Sequence, residues 1–241
     1  MRIIIIRHAD PDYIHDSLTE KGWKEAEMLA ERMAKEEVTD FYVSPLGRAQ
    51  DTASLTLKKT GRSAVTLDWL KEFSPRIHRP DVKLRTTRAW DWMPNDWTER
   101  EGMYSYEEWG EDPIMKEGGV KKEYDHVCHE FDALLARYGY VHKGKTFHVQ
   151  HESHDTVCLF CHYGIEMVLL SHLLQISPMP LWHGFVASPS SVTVIYSEER
   201  EKGTASFRIR QFGDLSHLYV HDEEPSFAAR FTECFEDEER H

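Results

Sequence analysis

The 241-residue chain contains no apolar run near the roughly 18 residues that a bilayer-spanning helix needs. Met1-Arg2 leads straight into Ile3 to Ile6, a stretch too short for the apolar region of a signal peptide. A soluble, cytoplasmic protein is the expectation. Cysteine is scarce: Cys128, Cys158, Cys161 and Cys234 are too few and too irregularly spaced for a disulfide framework and read as free thiols. Positive charge is also short, with 29 Lys+Arg against 42 Asp+Glu and a net charge of −13. A binder of nucleic acid polymer needs a net basic face, so that partner class is excluded. A small phosphorylated ligand is not, because a cleft focuses the field of its own arginines whatever the overall sign. No repeat or low-complexity segment interrupts the chain, and 40% hydrophobic content suffices for one α/β core over residues 1–241.

What is present is an alternation of strand-like and helix-like segments. Arg2 to Ile6 is short, continuous and β-branched, as a buried parallel strand should be. Thr19 is a suitable N-cap for a helix whose Trp23, Ala26, Leu29, Ala30 and Met33 share one face. Asp40 to Val43 predicts the next strand, Leu46 to Lys59 a helix, Ala64 to Leu67 a third strand, and Val120 to Tyr138 an amphipathic helix. Thr156 to Cys161 and Gly164 to Leu174 repeat the strand-helix order, and Ser191 to Tyr196 with Ser206 to Arg210 read as a closing strand pair. The order predicts a three-layer α/β/α sandwich around a mostly parallel central sheet. Residues 74–119 break the rhythm. They hold Trp90, Trp92, Trp97 and Trp109, lack a convincing strand, and read as a packed, lid-like insertion with a short helix near Tyr104 to Trp109. From about residue 222 the chain is acidic, with Phe227, Phe231 and Phe235 spaced for a short docked helix.

Four chemically loaded positions fall at the ends of these segments. Arg7-His8 follows the first strand, Arg48 follows the second through Ser44-Pro45-Leu46-Gly47, Glu72 lies beyond the third, and His162 follows Val157 to Cys161. Parallel strands would bring such positions together at the carboxyl edge of the sheet, where open α/β sheets bind ligands. Two imidazoles, two guanidiniums and one carboxylate can transfer a phosphoryl group without a metal or other cofactor. Arg48 would enter from the first turn of a helix, whose N-terminus also favours an anion.

These segments resemble the histidine phosphatase superfamily, which includes the cofactor-dependent phosphoglycerate mutases. Its opening Arg-His-Gly stands here as Arg7-His8-Ala9, its Ser-Pro, Arg-Ala and Thr-Ala pattern as Ser44-Pro45-Leu46-Gly47-Arg48-Ala49-Gln50-Asp51-Thr52-Ala53, and its His-Gly-type strand end as His162-Tyr163-Gly164. The resemblance implies that His8 attacks phosphorus, that Arg7, Arg48 and His162 hold the phosphoryl oxygens, and that Glu72 is general acid and then base, with Asp68 as the fallback. Departures are Ala9 for the usual Gly, Glu25 for the usual Gln of Gly-x-x-Gln-Ala, Asp10-Pro11-Asp12-Tyr13-Ile14 in place of a mutase-like Thr and Asn pattern, and no mutase-type Tyr-Gly-x-Leu-x-Gly after Glu72. They favour a phosphomonoesterase over two rivals, a phosphoglycerate-type mutase and a phospho-ligand-binding module without turnover.

Two clusters invite a metal reading and are weighed against it. Cys158-x-x-Cys161 lies along a buried strand, where alternation separates the thiols, and no second pair exists. His148, His151, His154 and Asp155 fall in a segment without apolar periodicity, read as a solvated loop or a site rim. The insertion's basic run of Arg76, His78, Arg79, Lys83, Arg85 and Arg88 stands out in an acidic chain, and Arg76, Arg85 and Arg88 are the candidate substrate-binding residues.

Overall fold

The structure, a computed structural model, describes residues 1–82 and 84–228. Its central sheet has eight strands: β1 (Arg2–Arg7), β2 (Asp40–Val43), β3 (Ala64–Thr66), β4 (Tyr140–Lys143), β5 (Thr146–Val149), β6 (Thr156–Cys161), β7 (Val192–Glu201) and β8 (Thr204–Asp214), in the spatial order β3-β2-β6-β1-β7-β8-β5-β4. Through β3-β2-β6-β1 the pairing is parallel, and from β1 onward every pairing is antiparallel. The expected parallel sheet is therefore the half that carries the candidate site, and the sheet as a whole is mixed. The physical reason is connection length: β4-β5 and β7-β8 are joined by two-residue turns, Gly144-Lys145 and Lys202-Gly203, which permit only antiparallel return.

Alternation along β1 and β6 splits the core in two. Ile4, Ile6, Cys158 and Phe160 pack with Leu29 and Met33 of α1 (Glu20–Met33) and Ala49 and Ala53 of α2 (Gly47–Thr60). Ile3, Ile5, Leu159 and Cys161 face Phe131 and Leu135 of α3 (Val120–Arg137) and Ile165 and Leu169 of α4 (Tyr163–Leu174) on the other side. This is the three-layer arrangement that period-2 strands and amphipathic helices require. The Cys158 and Cys161 thiols lie in different layers, as strand alternation demands, and are free. Cys234 falls outside the described residues, as do Lys83, Phe231 and Phe235.

Thr19 caps α1, its side chain accepting from the Gly22 amide at 3.0 Å. Trp23 is 38% exposed, so the buried stripe of α1 runs through Gly22, Glu25, Ala26, Leu29, Ala30 and Met33 instead. Glu25 is fully buried; its Oε2 accepts from the Asp10 amide at 2.9 Å while Oε1 has no partner. Burial pushes its carboxyl from 4.5 up to about 7. A raised acid binds its proton more tightly in the folded state, so its contribution to stability is complete below about pH 4.5 and is lost as pH rises through about 7. Glu25→Gln keeps an acceptor for Asp10 and carries no charge. It is expected to stabilise the protein by about 3 kcal/mol at pH 8, with the advantage shrinking towards pH 5, as read from denaturant melts at the two values. An equal effect at both pH values would show that ionisation of Glu25 is not the cause.

The insertion departs from the expected form. It contains a two-stranded ribbon (Arg76–Ile77 with Thr87–Arg88), short helices at Pro94–Thr98 and Pro113–Glu117, and 3-10 turns at Glu101–Tyr104 and Trp109–Glu111, so the expected helix near Tyr104 to Trp109 is a turn between two 3-10 segments. Trp92, Trp97 and Trp109 are buried in the same cluster as α3 and α4, which makes most of the insertion an extension of that layer. The β4-β5 hairpin and the helix Pro178–Gly184 have no counterpart in the sequence reading. The hairpin was hidden by polar residues along an edge, and it places His148 on a strand. His151 and His154 lie exposed beyond it, close to Ser153, whose carbonyl binds the Met1 amino group. That is the amino end of β1, so the cluster is not on the rim of the candidate site. Among the described residues no helix is long and apolar enough to cross a membrane.

Candidate active site

Register delivers the first two residues. Arg7 pairs with Cys161 across β1 and β6, so the next residue of each chain, His8 and His162, leaves the sheet beside the other. The His8 amide donates to the Cys161 carbonyl at 2.9 Å, and the two imidazole centroids stand 5.1 Å apart. Val43 pairs with Phe160 on the next strand, and the Ser44 amide donates to the Phe160 carbonyl, which sets Ser44 next to His162. Pro45 follows and α2 begins at Gly47, putting Arg48 in its first turn. The carboxyl edge of the parallel half thus collects Arg7, His8, Arg48 and His162 from three short segments.

His8 is buried, and its Nδ1–H donates to the Ala9 carbonyl at 2.8 Å, which leaves Nε2 with a free lone pair. Ala9 itself is buried, with its amide donating to Thr52, and tolerates its methyl because its φ is not in the left-handed region. Burial, and then the charge of Arg7, hold the His8 imidazole well below the usual histidine range, so it is uncharged at neutral pH. The same direction holds for His162, through burial first and then the neighbouring His8, Arg48 and Arg7. The Ser44 hydroxyl, 2.7 Å from His162 Nε2, accepts from the Leu46 amide and so has its proton free to give to the ring. Nδ1 then carries the ring proton, and it has no partner.

The two guanidiniums are held by their outer atoms. Arg7 Nη1 donates to the Ala187 carbonyl at 2.6 Å and the group lies against the Tyr163 ring; Arg48 Nη1 donates to Asp16 at 2.6 Å and the group lies over the Tyr13 ring. Arg7 Nε and Arg48 Nε are both buried without a partner. Three unpartnered buried donors around one imidazole each cost on the order of 1–3 kcal/mol, and an anion with several acceptor oxygens would satisfy them.

Glu72 reaches the same place from beyond β3 and the 3-10 turn Asp68–Leu70. Its Oε1 accepts from the Phe73 and Ile165 amides at 2.8 and 3.2 Å. Burial raises its pKa, against the opposing charges of Arg7 and Arg48. Gly164 makes room for it: a Cβ there would stand 2.7 Å from Glu72 Oε1 and 2.6 Å from Trp90 Nε1. Glycine at this position therefore serves a close approach rather than a backbone angle.

The three insertion arginines do not join this group through their hydrogen bonds. Arg76 binds Thr86 within its own ribbon, Arg88 donates to the Ser74 carbonyl at 3.0 Å, and Arg85 is exposed on the same arm. Arg79 of the same run is neutralised locally by Asp81 and Asp91. The part of the insertion that does reach the site is Trp90, whose indole donates to the Phe73 carbonyl and stands edge-on to Tyr163.

Sequence reasoning missed Ser44 as a site residue, although it lay inside the Ser-Pro motif, and it missed Asp16 and Glu166. Asp16 bridges Arg48 and the Gly47 amide (2.7 Å) from a backbone with φ 48°. Nothing local in an exposed loop signals that role. Glu166 is buried beneath Arg7, accepts from Thr193 Oγ1 at 2.6 Å, and is pushed by burial up to about 7. The visible signal was a single acid inside an otherwise apolar helix.

Comparison with known proteins agrees with this geometry. A family model described as the histidine phosphatase superfamily (branch 1) matches residues 3–209. No curated protein matches the chain by sequence. Among solved structures, a phosphoserine phosphatase from Entamoeba histolytica in complex with phosphoserine is similar at 20% identity and TM-score 0.57, covering 90% of this chain and 98% of that one. An alpha-ribazole phosphatase from Shigella flexneri is similar at 18% identity and TM-score 0.55, over 89% and 97%. A mycobacterial glucosyl-3-phosphoglycerate phosphatase complexed with VO3 follows at 18% identity and TM-score 0.51, over 88% and 98%.

Proposed function

The chain belongs to the histidine phosphatase superfamily, and on that premise we propose that it is a phosphatase, hydrolysing a small phosphorylated metabolite through a phosphohistidine formed on His8, without a metal. One observation carries the reading: the Ala9 carbonyl holds the Nδ1 proton of His8, leaving Nε2 as an uncharged nucleophile among three buried donors that lack partners. In the first transfer Nε2 attacks phosphorus in line, the P–O bond to the leaving group breaks, and Glu72 supplies the proton to the departing oxygen. Arg7, Arg48 and the Nδ1–H of His162 hold the three non-bridging oxygens as charge develops on them. In the second transfer Glu72, now a carboxylate, takes a proton from water as it attacks the phosphohistidine, which returns His8 and releases phosphate.

The relatives by fold act on phosphoserine, glucosyl-3-phosphoglycerate and alpha-ribazole substrates, which supports a small molecule as the phosphate carrier here. Within the insertion, Arg88, tied to the segment that follows Glu72, and Trp90 are the residues we assign to substrate selection, with Arg76 and Arg85 further out on the same arm. Turnover of p-nitrophenyl phosphate is expected to stay within about twofold in millimolar EDTA, because two guanidiniums supply the charge that a metal would bring. Loss of turnover with rescue by a divalent ion would overturn the metal-free reading. Transfer of the phosphoryl group to a phosphorylated acceptor faster than to water would replace the phosphatase by the mutase.

A further inference from the structure

Away from the candidate active site, three side chains from three elements converge on one point. Asp132 lies on α3, His142 on β4 and His172 in the last turn of α4, ten residues beyond His162, or about 15 Å along the helix. Asp132 Oδ1 is 2.7 Å from His172 Nε2, Asp132 Oδ2 is 3.1 Å from His142 Nδ1, and one ligand atom from each residue lies within 4.8 Å of the others. Around one zinc ion, nitrogen and oxygen ligands at 2.0–2.1 Å stand about 3.3 Å apart. The two contacts are already close to that spacing, so an ion needs only a small outward shift of the three groups. The rings are also held: His142 stacks on Phe147, and His172 Nδ1 is 3.5 Å from the Tyr106 hydroxyl.

We propose that Asp132, His142 and His172 form a binding site for a zinc-class divalent cation, a site separate from the phosphoryl-transfer centre and joining the edge strand β4 to α3 and α4. Two imidazoles and one carboxylate select zinc and its neighbours over magnesium or calcium, which prefer all-oxygen shells. In the metal-free form ring protons point at Asp132. On binding, each ring turns its lone pair to the metal and carries its proton on the far nitrogen, where the Tyr106 oxygen can accept from His172 Nδ1. Asp132 and His142 are about a quarter exposed, at 26% and 22%, which leaves an entry path and room for a water as fourth ligand. The sequence offered His148 to His154 as the metal candidate. Folding assembles the converging set from residues up to 40 positions apart.

The test is titration of zinc chloride into the tag-free full chain after removal of metals with a chelator. One equivalent is expected to bind at micromolar or lower Kd, raising Tm by about 5 °C or more at a hundredfold excess over Kd. Asp132→Asn and His142→Ala should each weaken binding at least tenfold and cut the rise at the same zinc concentration to about half or less, while p-nitrophenyl phosphate turnover of the wild type with one equivalent of zinc stays within twofold of the metal-free value. Absence of saturable binding overturns the proposal, as does undiminished binding in a variant. Loss of turnover at one equivalent also overturns it, because the ion would then sit on His8 and His162. If a variant folds poorly, cobalt(II) on the wild-type chain reads the same site: a visible d–d band that one equivalent of zinc removes is expected, and no such band overturns the assignment.

Discussion

Replacing His8 by alanine is expected to lower turnover of every phosphomonoester by at least about a thousandfold, equivalent to about 4 kcal/mol of lost transition-state stabilisation. The imidazole supplies the attacking atom, and no neighbouring group can substitute: the His162 ring is 5.1 Å away with its Nε2 bonded to Ser44. Because His8 is 1% exposed rather than at an open strand end, the substitution also leaves a small cavity and an unpartnered Ala9 carbonyl. The control is therefore a thermal melt beside the rate. A folded variant that retains turnover within tenfold of wild type would exclude covalent catalysis at this residue. A phosphoryl group trapped on the wild-type chain by rapid alkaline denaturing quench, which preserves the acid-labile P–N bond, and absent from His8→Ala, would establish it.

Glu72→Gln should separate substrates by leaving group. Alkyl phosphates need a proton on the departing oxygen and are expected to lose about a hundred- to ten-thousandfold in kcat/KM. For p-nitrophenyl phosphate, whose leaving group departs without one, the loss should stay within about tenfold, because kcat/KM reports the first transfer only. The pH dependence follows from the same residue. Burial raises the pKa of Glu72, so its acid form persists above the ordinary carboxylate range and is lost as pH rises through the shifted value. Burial holds the pKa values of His8 and His162 well below the usual histidine range, so their charging belongs to the acid side of the profile and not to this limb. The kcat/KM of wild type for an alkyl phosphate should accordingly fall on the alkaline side of the Glu72 titration, and this limb should vanish in Glu72→Gln. Equal losses for both substrate types would move the acid role to Asp68 or to Glu166.

The sequence by itself determined the elements whose signals are local. β1, β2 and β6 are short runs of β-branched and aromatic residues, α1 opens on a capping threonine, and α3 carries one apolar stripe; each stands where its own residues put it. The candidate histidines and arginines were legible for the same reason, since Arg7 ends a strand, His8 and His162 directly follow one, Arg48 opens the helix after one, and parallel strands end at one edge. Elements without a local signal were not legible. The β4-β5 hairpin is polar along an edge, and three of the insertion's tryptophans fill the main core rather than a lid over the site. Only tertiary structure decided which polar groups lack partners and which are neutralised. Arg7 Nε, Arg48 Nε and His162 Nδ1 are left open, whereas within the insertion Arg79 is paired with Asp81 and Asp91 and Arg76 is tied to Thr86. Asp132, His142 and His172 likewise share no local pattern. Local sequence sets backbone preference, but hydrogen-bond partners and desolvation are properties of what packs from elsewhere in the chain, and the chemistry of a buried group follows those.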